Sequence, residues 1–276
     1  MYRLALIDGD IFAYEIAAGA EEPIHWGNGL WTLHAWEPEA VSRLDSRIEE
    51  LAHSIGATDC LIVLSDDDNW RMDVLPTYKQ NRSGQRKPML LNVLKDHLRK
   101  KHHAISWPRL EADDVLGILA SRPSDNPPVI ITKDKDLQTI PGLHFLAHKE
   151  ELGVFEVSED EADKWHLIQT LAGDQTDGYA GCPGIGIETA RKVIEEQYGW
   201  ESYEHTFKSG KRKGETETRW QKVEVDTAWE AVVAQFHKAG LGEEEALTQA
   251  RVARILRHTD FNHETKEPIL WTPKTS

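Results

Sequence analysis

Nine carboxylates occupy positions from which a folded chain could bring them together: Asp8, Asp66, Glu111, Asp113, Asp114, Asp134, Asp136, Asp174 and Asp177. They sit at the ends of apolar runs or at helix starts, in stretches such as LALIDGD, CLIVLSDDD, LEADDVLG and VIITKDKD. Side-chain oxygens in this number suit hard cations such as Mg²⁺ and Mn²⁺, which take carboxylates, waters and phosphate oxygens as ligands. Converging acids therefore point to a two-metal phosphoryl-transfer site, with ions ~3.5–4 Å apart clamping the attacking and leaving oxygens. Each acid alone has a plainer reading. Glu111, Asp113 and Asp114 could simply favour a helix start through the dipole, and Asp8 or Asp66–Asp68 could belong to turns. Repetition weighs against this, because separate strand ends deliver acids to one side of a sheet. No Ser/Cys nucleophile or general-base histidine arrangement competes, and the thirteen histidines fall in no obvious ligand pattern.

The elements that must position these acids follow from hydropathy. RLALIDGD, DCLIVLSDDD and PPVIITKDKD are apolar runs ending in acids, each a buried strand with carboxylates at its carboxyl end. Residues 24–36, two arms around Gly-Asn-Gly, predict a hairpin whose Trp26, Trp31 and Trp36 are packing residues. Val41, Leu44, Ile48, Leu51 and Ile55 recur at helical spacing between Pro38 and Gly56. A basic helix is expected within 86–102, a short strand at AISWP and a helix at ADDVLGILAS. Strands alternating with helices imply an α/β fold, a mostly parallel sheet with helices on both faces, which binds ligands beyond the carboxyl ends of its strands. From Ser158, paired with Glu161 in a capping box, the pattern turns helical. A first domain over 1–157 and a second over 158–276 are expected, with 208–222 as a loop.

Composition sets the outer limits. The chain has 276 residues, 39% hydrophobic and 29% charged, the balance of a soluble globular protein. No stretch is apolar for the length a bilayer needs, so no membrane partner is expected. Cys60 and Cys182 form neither a disulfide framework nor a metal-ligand spacing, which fits a cytoplasmic location. A net charge of −15 would argue against nucleic acid. Its distribution argues otherwise: Arg71 to Arg109 holds ten Lys/Arg against Asp73 and Asp96, and KSGKRKG at 208–214 with Arg219 and Lys222 forms a second basic run. Local field decides what docks, so an anionic polymer is the expected partner.

In GCPGIGIETARK, Gly181, Gly184 and Gly186 would let backbone N–H groups approach a phosphate at a helix start, with Arg191 and Lys192 behind them. A plain tight turn at Pro183 is the alternative.

Taken in order, DGD, DDDNWRMDVLPTYKQNR, LEADDVLG, TKDKDLQTI and GDQTDGYAGCPGIGIETA resemble the 5′-nuclease superfamily of flap endonucleases and phage-type 5′→3′ exonucleases, over roughly residues 1–200. The resemblance implies a PIN-like α/β domain, a helix–three-turn–helix DNA-binding domain and two Mg²⁺ or Mn²⁺ ions, with K⁺ at the helix–hairpin–helix turn. It puts Asp8, Asp66, Glu111 and Asp113 around a first metal and Asp114, Asp134, Asp136, Asp174 and Asp177 around a second. It makes Lys79 and Arg82 the catalytic cations facing the scissile phosphate, within an arch over 79–101. Arg71, Tyr78, Arg86 and Lys87 would contact DNA, Tyr78 by stacking on a base or, equally, as a core residue. Two departures stand out: LSDDDNWR has Ser65 before the first aspartate and leaves Asp67 a rival to Asp66, and Gly178 stands where an asparagine is common. The implied activity is a structure-selective, metal-dependent 5′→3′ exonuclease and flap endonuclease, leaving 5′-phosphates. It would act as a monomer on DNA with a free 5′ end, flap, nick or branch, in replication and repair, in the host cytoplasm if phage-encoded. A PIN-type ribonuclease and a non-catalytic branched-DNA-binding protein are the alternatives.

Overall fold

The computed structural model describes residues 4–274. The strand expected at RLALIDGD begins at Arg3, which lies outside the described residues. The chain divides into two compact units. One gathers the residues up to Trp70, Gly84–Ala162 and Ile255–Ile269; the other holds Arg71–Ser83, Asp163–Arg254 and the residues from Leu270 onward. The sequence places 71–83 in the first domain and 255–269 in the second, whereas the compact units assign both the other way.

The first unit opens with β1 (Leu4–Asp8) running directly into α1 (Gly9–Gly19), then a hairpin of β2 (Glu22–Gly27) and β3 (Leu30–His34). After α2 (Glu37–Ser54) and β4 (Asp59–Val63) the chain makes a short helix in the second unit, α3 (Arg71–Val74), before returning to α4 (Leu91–Lys101) and α5 (Ala112–Ala120). The strands β5 (Val129–Thr132), β6 (Gly142–Leu146) and β7 (Phe155–Val157) complete a five-stranded sheet of order β4-β1-β5-β6-β7. All pairs are parallel except β6–β7. The central strands LALID and VIIT carry apolar residues on both faces because both faces are covered, as parallel sheets require. Ile7, Phe12, Leu44, Ile62, Leu94 and Ile131 form part of the core that joins sheet to helices.

The helix α6 (Glu159–Ala172) starts at the expected capping box, with the Ser158 hydroxyl and N–H donating to Glu161 at 2.6 and 2.9 Å. The second unit continues with α7 (Ile187–Glu196), the hairpin β8 (Tyr198–Thr206) and β9 (Thr216–Glu224), α8 (Ala228–Lys238) and α9 (Glu243–Ala253). Leu171, Val193, Ile194, Val232 and Phe236 build its core. A last pair, β10 (Phe261–Asn262) and β11 (Glu267–Pro268), belongs to the first unit.

Three local expectations change. AISWP contributes a single parallel bridge, Val63 to Ile105, instead of a strand. The expected loop at 208–222 is largely hairpin, paired from Tyr198–Glu224 to Thr206–Thr216. Three of its cations are paired: Arg212 with Glu215 and Glu217, Arg219 with Glu217, and Lys222 with Glu196 of α7. Thr216, Thr218, Trp220 and Val223, all strand-favouring types, lie among the charges of β9. Trp26, Trp31 and Trp36 are not core residues but 60–65% exposed, Trp31 stacked on His25 and Trp36 edge-on to His34.

Candidate active site

The strands β4, β1 and β5 are neighbours, so their carboxyl ends, each followed by acids, adjoin. The chain leaves β1 on one side for β4 and later enters β5 on the other, and at such a reversal an open α/β sheet has its crevice. Asp8 ends β1 and caps α1, accepting the Ile11 N–H at 3.3 Å. Its other oxygen accepts the Thr132 hydroxyl at 2.9 Å. Thr132, the last residue of β5, in turn accepts the Asp134 N–H at 3.0 Å, so one buried hydroxyl ties two acids together. Asp134 accepts the Asp136 N–H at 2.8 Å, which aligns the start of the 3₁₀ turn over Lys135–Thr139.

Asp10, the last residue of DGD and outside the nine acids, belongs to this edge. It accepts the Ser65 N–H at 2.8 Å, and the Lys95 ammonium of α4 lies 2.6 Å from it. Ser65 also accepts the Ala112 N–H at 2.9 Å, so a single small residue joins the end of β4 to α1 and to the first turn of α5. Asp66 accepts the Arg109 N–H at 2.8 Å, whereas Asp67 is exposed. Glu111 is the N-cap of α5 and Asp113 lies half-buried in its first turn.

Electrostatics mark Asp8. Burial first, then the Asp10 carboxylate and, less strongly, Asp134, raise its pKa from an ordinary 3.8 to about 7, although hydrogen bonds from Thr132 and Ile11 oppose the shift. A carboxyl held at such depth among like charges favours a cation beside it. Because the donors along this edge are oxygens, a hard divalent ion would suit them. Asp8, Asp66, Glu111, Asp113, Asp134 and Asp136 could hold it, with Asp10 as a further acid that the motif reading missed.

Asp114 is different. It is fully buried, one oxygen accepting the Trp70 indole N–H at 3.0 Å and the Glu111 N–H at 3.4 Å, the other the Leu256 N–H at 3.1 Å. Its carboxylate is directed at three protein donors and fastens α5 to two other segments.

Asp174 and Asp177 lie in the second unit, in the turn after α6. Asp174 accepts the Thr176 N–H at 2.6 Å and shapes that turn. Asp177 is met by three groups of 71–83: the Tyr78 hydroxyl at 3.0 Å, the Lys79 ammonium at 3.6 Å and the Arg82 guanidinium. Gly178 is needed here: it has φ +78°, and a Cβ would lie 3.2 Å from the Lys79 nitrogen and 3.3 Å from the Thr77 oxygen. Tyr78 is 3% exposed, so its ring is unavailable for a base to stack on. Arg71, 2% exposed, donates to the carbonyls of Val252 and Arg254 at 2.9 and 2.7 Å, which turns its guanidinium inward and away from any phosphate.

Arg86 is exposed and paired with Glu21 through two bonds of 2.6 Å, and Lys87 is exposed beside it. Among the glycines, Gly181 is buried: its N–H donates to Gln249 at 2.8 Å, and a Cβ would lie 2.4 Å from the Gly173 nitrogen. Gly184 and Gly186 are exposed, Gly186 as N-cap of α7, with Arg191 and Lys192 exposed one turn on. Only these last two glycines remain placed to offer backbone to an anion.

A family description, the 5′-3′ exonuclease N-terminal resolvase-like domain, matches residues 3–160. The chain belongs to the 5′-3′ exonuclease family. This exonuclease-family chain is 35% identical over 287 residues to the exodeoxyribonuclease of Enterobacteria phage T3, with 99% of this chain and 93% of that one covered. It is 34% identical over 282 residues to the exonuclease of Escherichia phage T7, covering 98% and 93%. Its fold is similar to that of the T5 D15 protein co-crystallised with metal ions, with a TM-score of 0.53 at 19% identity over 71% of this chain and 75% of that one. The T5 D15 flap endonuclease in a pseudo-enzyme-product complex with DNA and metal ions gives 0.54 at 18% identity, over the same shares. Among the described residues of this exonuclease-family member, no helix is long and apolar enough to cross a membrane.

Proposed function

We propose that the protein is a metal-dependent 5′→3′ exodeoxyribonuclease with flap endonuclease activity. The observation that carries the reading is the carboxyl edge of β4, β1 and β5, where Asp8 is driven to about 7 by burial and neighbouring acids. Family membership and the likeness to two phage exonucleases over nearly the whole chain support it. The ions are Mg²⁺ or Mn²⁺, two of them, held by Asp8, Asp66, Glu111, Asp113, Asp134 and Asp136, with Asp174 and Asp177 as further ligands by resemblance. When bound, such ions lower the pKa of water and neutralise charge growing on the phosphate. Thr132 holds Asp8 and Asp134 through its hydroxyl, and Ser65 holds Asp10 through its N–H and the start of α5 through its hydroxyl. Lys79 and Arg82 supply positive charge toward the phosphate being cut. The exposed backbone at Gly184 and Gly186, with Arg191 and Lys192, would hold duplex phosphates irrespective of sequence, with K⁺ as an optional occupant of the turn. The substrate is DNA with a free 5′ end, flap, nick or branch. Catalytic work is assigned to the first domain (1–157) and DNA holding to the second (158–276), in a monomer working in the cytoplasm, the host's if the protein is phage-encoded.

A 5′-labelled flap and a blunt duplex, each with Mg²⁺ or EDTA, test this. Cleavage with Mg²⁺ alone is expected, and Asp113→Ala or Asp134→Ala should abolish it while leaving Ca²⁺-supported binding. Efficient cleavage of matched RNA but not DNA, or unchanged cleavage by both variants, overturns the assignment.

A further inference from the structure

Away from the acidic edge, α2 and α4 meet at a cluster of a different chemical kind. His97 Nε2 lies 2.8 Å and His102 Nε2 2.6 Å from the same oxygen, Oδ1 of Asp45. The imidazole rings are 5.8 Å apart at 69° and so approach that oxygen from different directions. One ligand atom from each residue lies within 4.8 Å of the other two, the one such group of His, Cys, Asp or Glu found among the described residues. All three side chains are 15–20% exposed, deep enough to be ordered and open enough for an ion to enter. The other oxygen of Asp45 holds the Lys101 ammonium at 2.6 Å.

Two imidazoles and one carboxylate make a nitrogen-rich donor set, which suits borderline ions such as Zn²⁺ and not Mg²⁺. As drawn, both Nε2 atoms must carry a proton toward Asp45. Moving each proton to Nδ1 turns two imidazoles that compete for one oxygen, together with that carboxylate, into three ligands around one ion. We propose that Asp45, His97 and His102 form a transition-metal site for Zn²⁺, separate from the acidic edge, with water completing a four-coordinate shell. The ion closes the end of α4 onto α2. Lys95, which lies beside Asp10, stands two residues before His97 on the same helix, so zinc also steadies that cation.

The test uses the full chain with millimolar Mg²⁺ present to fill the acidic edge while Zn²⁺ is titrated by calorimetry. One Zn²⁺ per chain is expected, with His97→Gln and His102→Gln each weakening it about tenfold or more. The double variant Asp8→Asn/Asp134→Asn should retain it. Lys101→Gln removes the ammonium that competes for Asp45 and should tighten binding, a gain that misfolding cannot produce. No Zn²⁺ binding by the parent, equal binding by the histidine variants, loss in the Asp8/Asp134 variant, or no change in Lys101→Gln overturns the site.

Discussion

Replacing Asp8 by asparagine should stabilise the protein in EDTA while destroying its activity. The pKa of Asp8 rises from 3.8 to about 7 on folding, and at ~1.4 kcal/mol per unit this corresponds to about 4 kcal/mol of unfavourable burial of the ionised group. The sign follows from proton binding. Between roughly pH 4 and 7 the folded chain keeps a proton that the unfolded chain has released, so stability falls as pH rises through this window. Above it the full penalty applies. Asparagine removes the charge but replaces one acceptor oxygen by an N–H₂ group facing the Ile11 N–H or the Thr132 hydroxyl, at a cost of about 1–2 kcal/mol. The net gain should be about 2–3 kcal/mol at pH 8, shrinking to zero or a small loss at pH 4. Urea unfolding of both proteins in EDTA at the two pH values measures it. With Mg²⁺ the advantage should contract or invert, because the ion binds the deprotonated parent and stabilises it by mass action. An asparagine variant no more stable than the parent at pH 8, or a difference independent of pH, would refute the claim that burial and neighbouring acids set the state of Asp8.

Asp114→Asn should do the opposite, lowering stability by about 2–4 kcal/mol with or without metal, because one of three buried donors loses its charged acceptor. The urea midpoint reads this, and a metal-dependent effect would return Asp114 to the ligand set. Gly181→Ala should cost roughly 3 kcal/mol or more, since φ is +65° and a Cβ would lie 2.4 Å from the Gly173 nitrogen and 2.6 Å from the Leu171 oxygen. Gly184→Ala, at φ +78° with no atom within 4 Å, should cost only about 1–2 kcal/mol of αL strain, so its thermal midpoint should drop far less.

Legibility differed by kind of signal. The strands LALID and VIIT, the helix opened by Glu111 and the capping box at Ser158 were readable because each is specified by residues close in sequence. Adjacency of the strand ends that carry Asp8, Asp66 and Asp134 was readable too, since parallel topology puts carboxyl ends on one edge. The β8–β9 hairpin was not, because a run of lysines and arginines hid strand residues such as Thr218 and Gln221, which bond Glu204 and Glu201 across the pair. Arg71 looked like a DNA contact and Tyr78 like either a stacking or a core residue, and burial directs both toward the protein's own carbonyls and carboxylates.

Sequence alone determined the chemistry available: which residues carry oxygen ligands, where helices start and which strands are covered on both faces. Those properties depend on side-chain type and local spacing. What each acid does was decided only by tertiary structure. Asp8 and Asp114 both sit at helix beginnings, but one is buried beside two carboxylates and the other among three N–H donors. The same holds for Asp45, whose histidines stand 52 and 57 residues away and gather around it only when α4 packs on α2. Charge interactions depend on distance in space, which spacing along the chain does not encode.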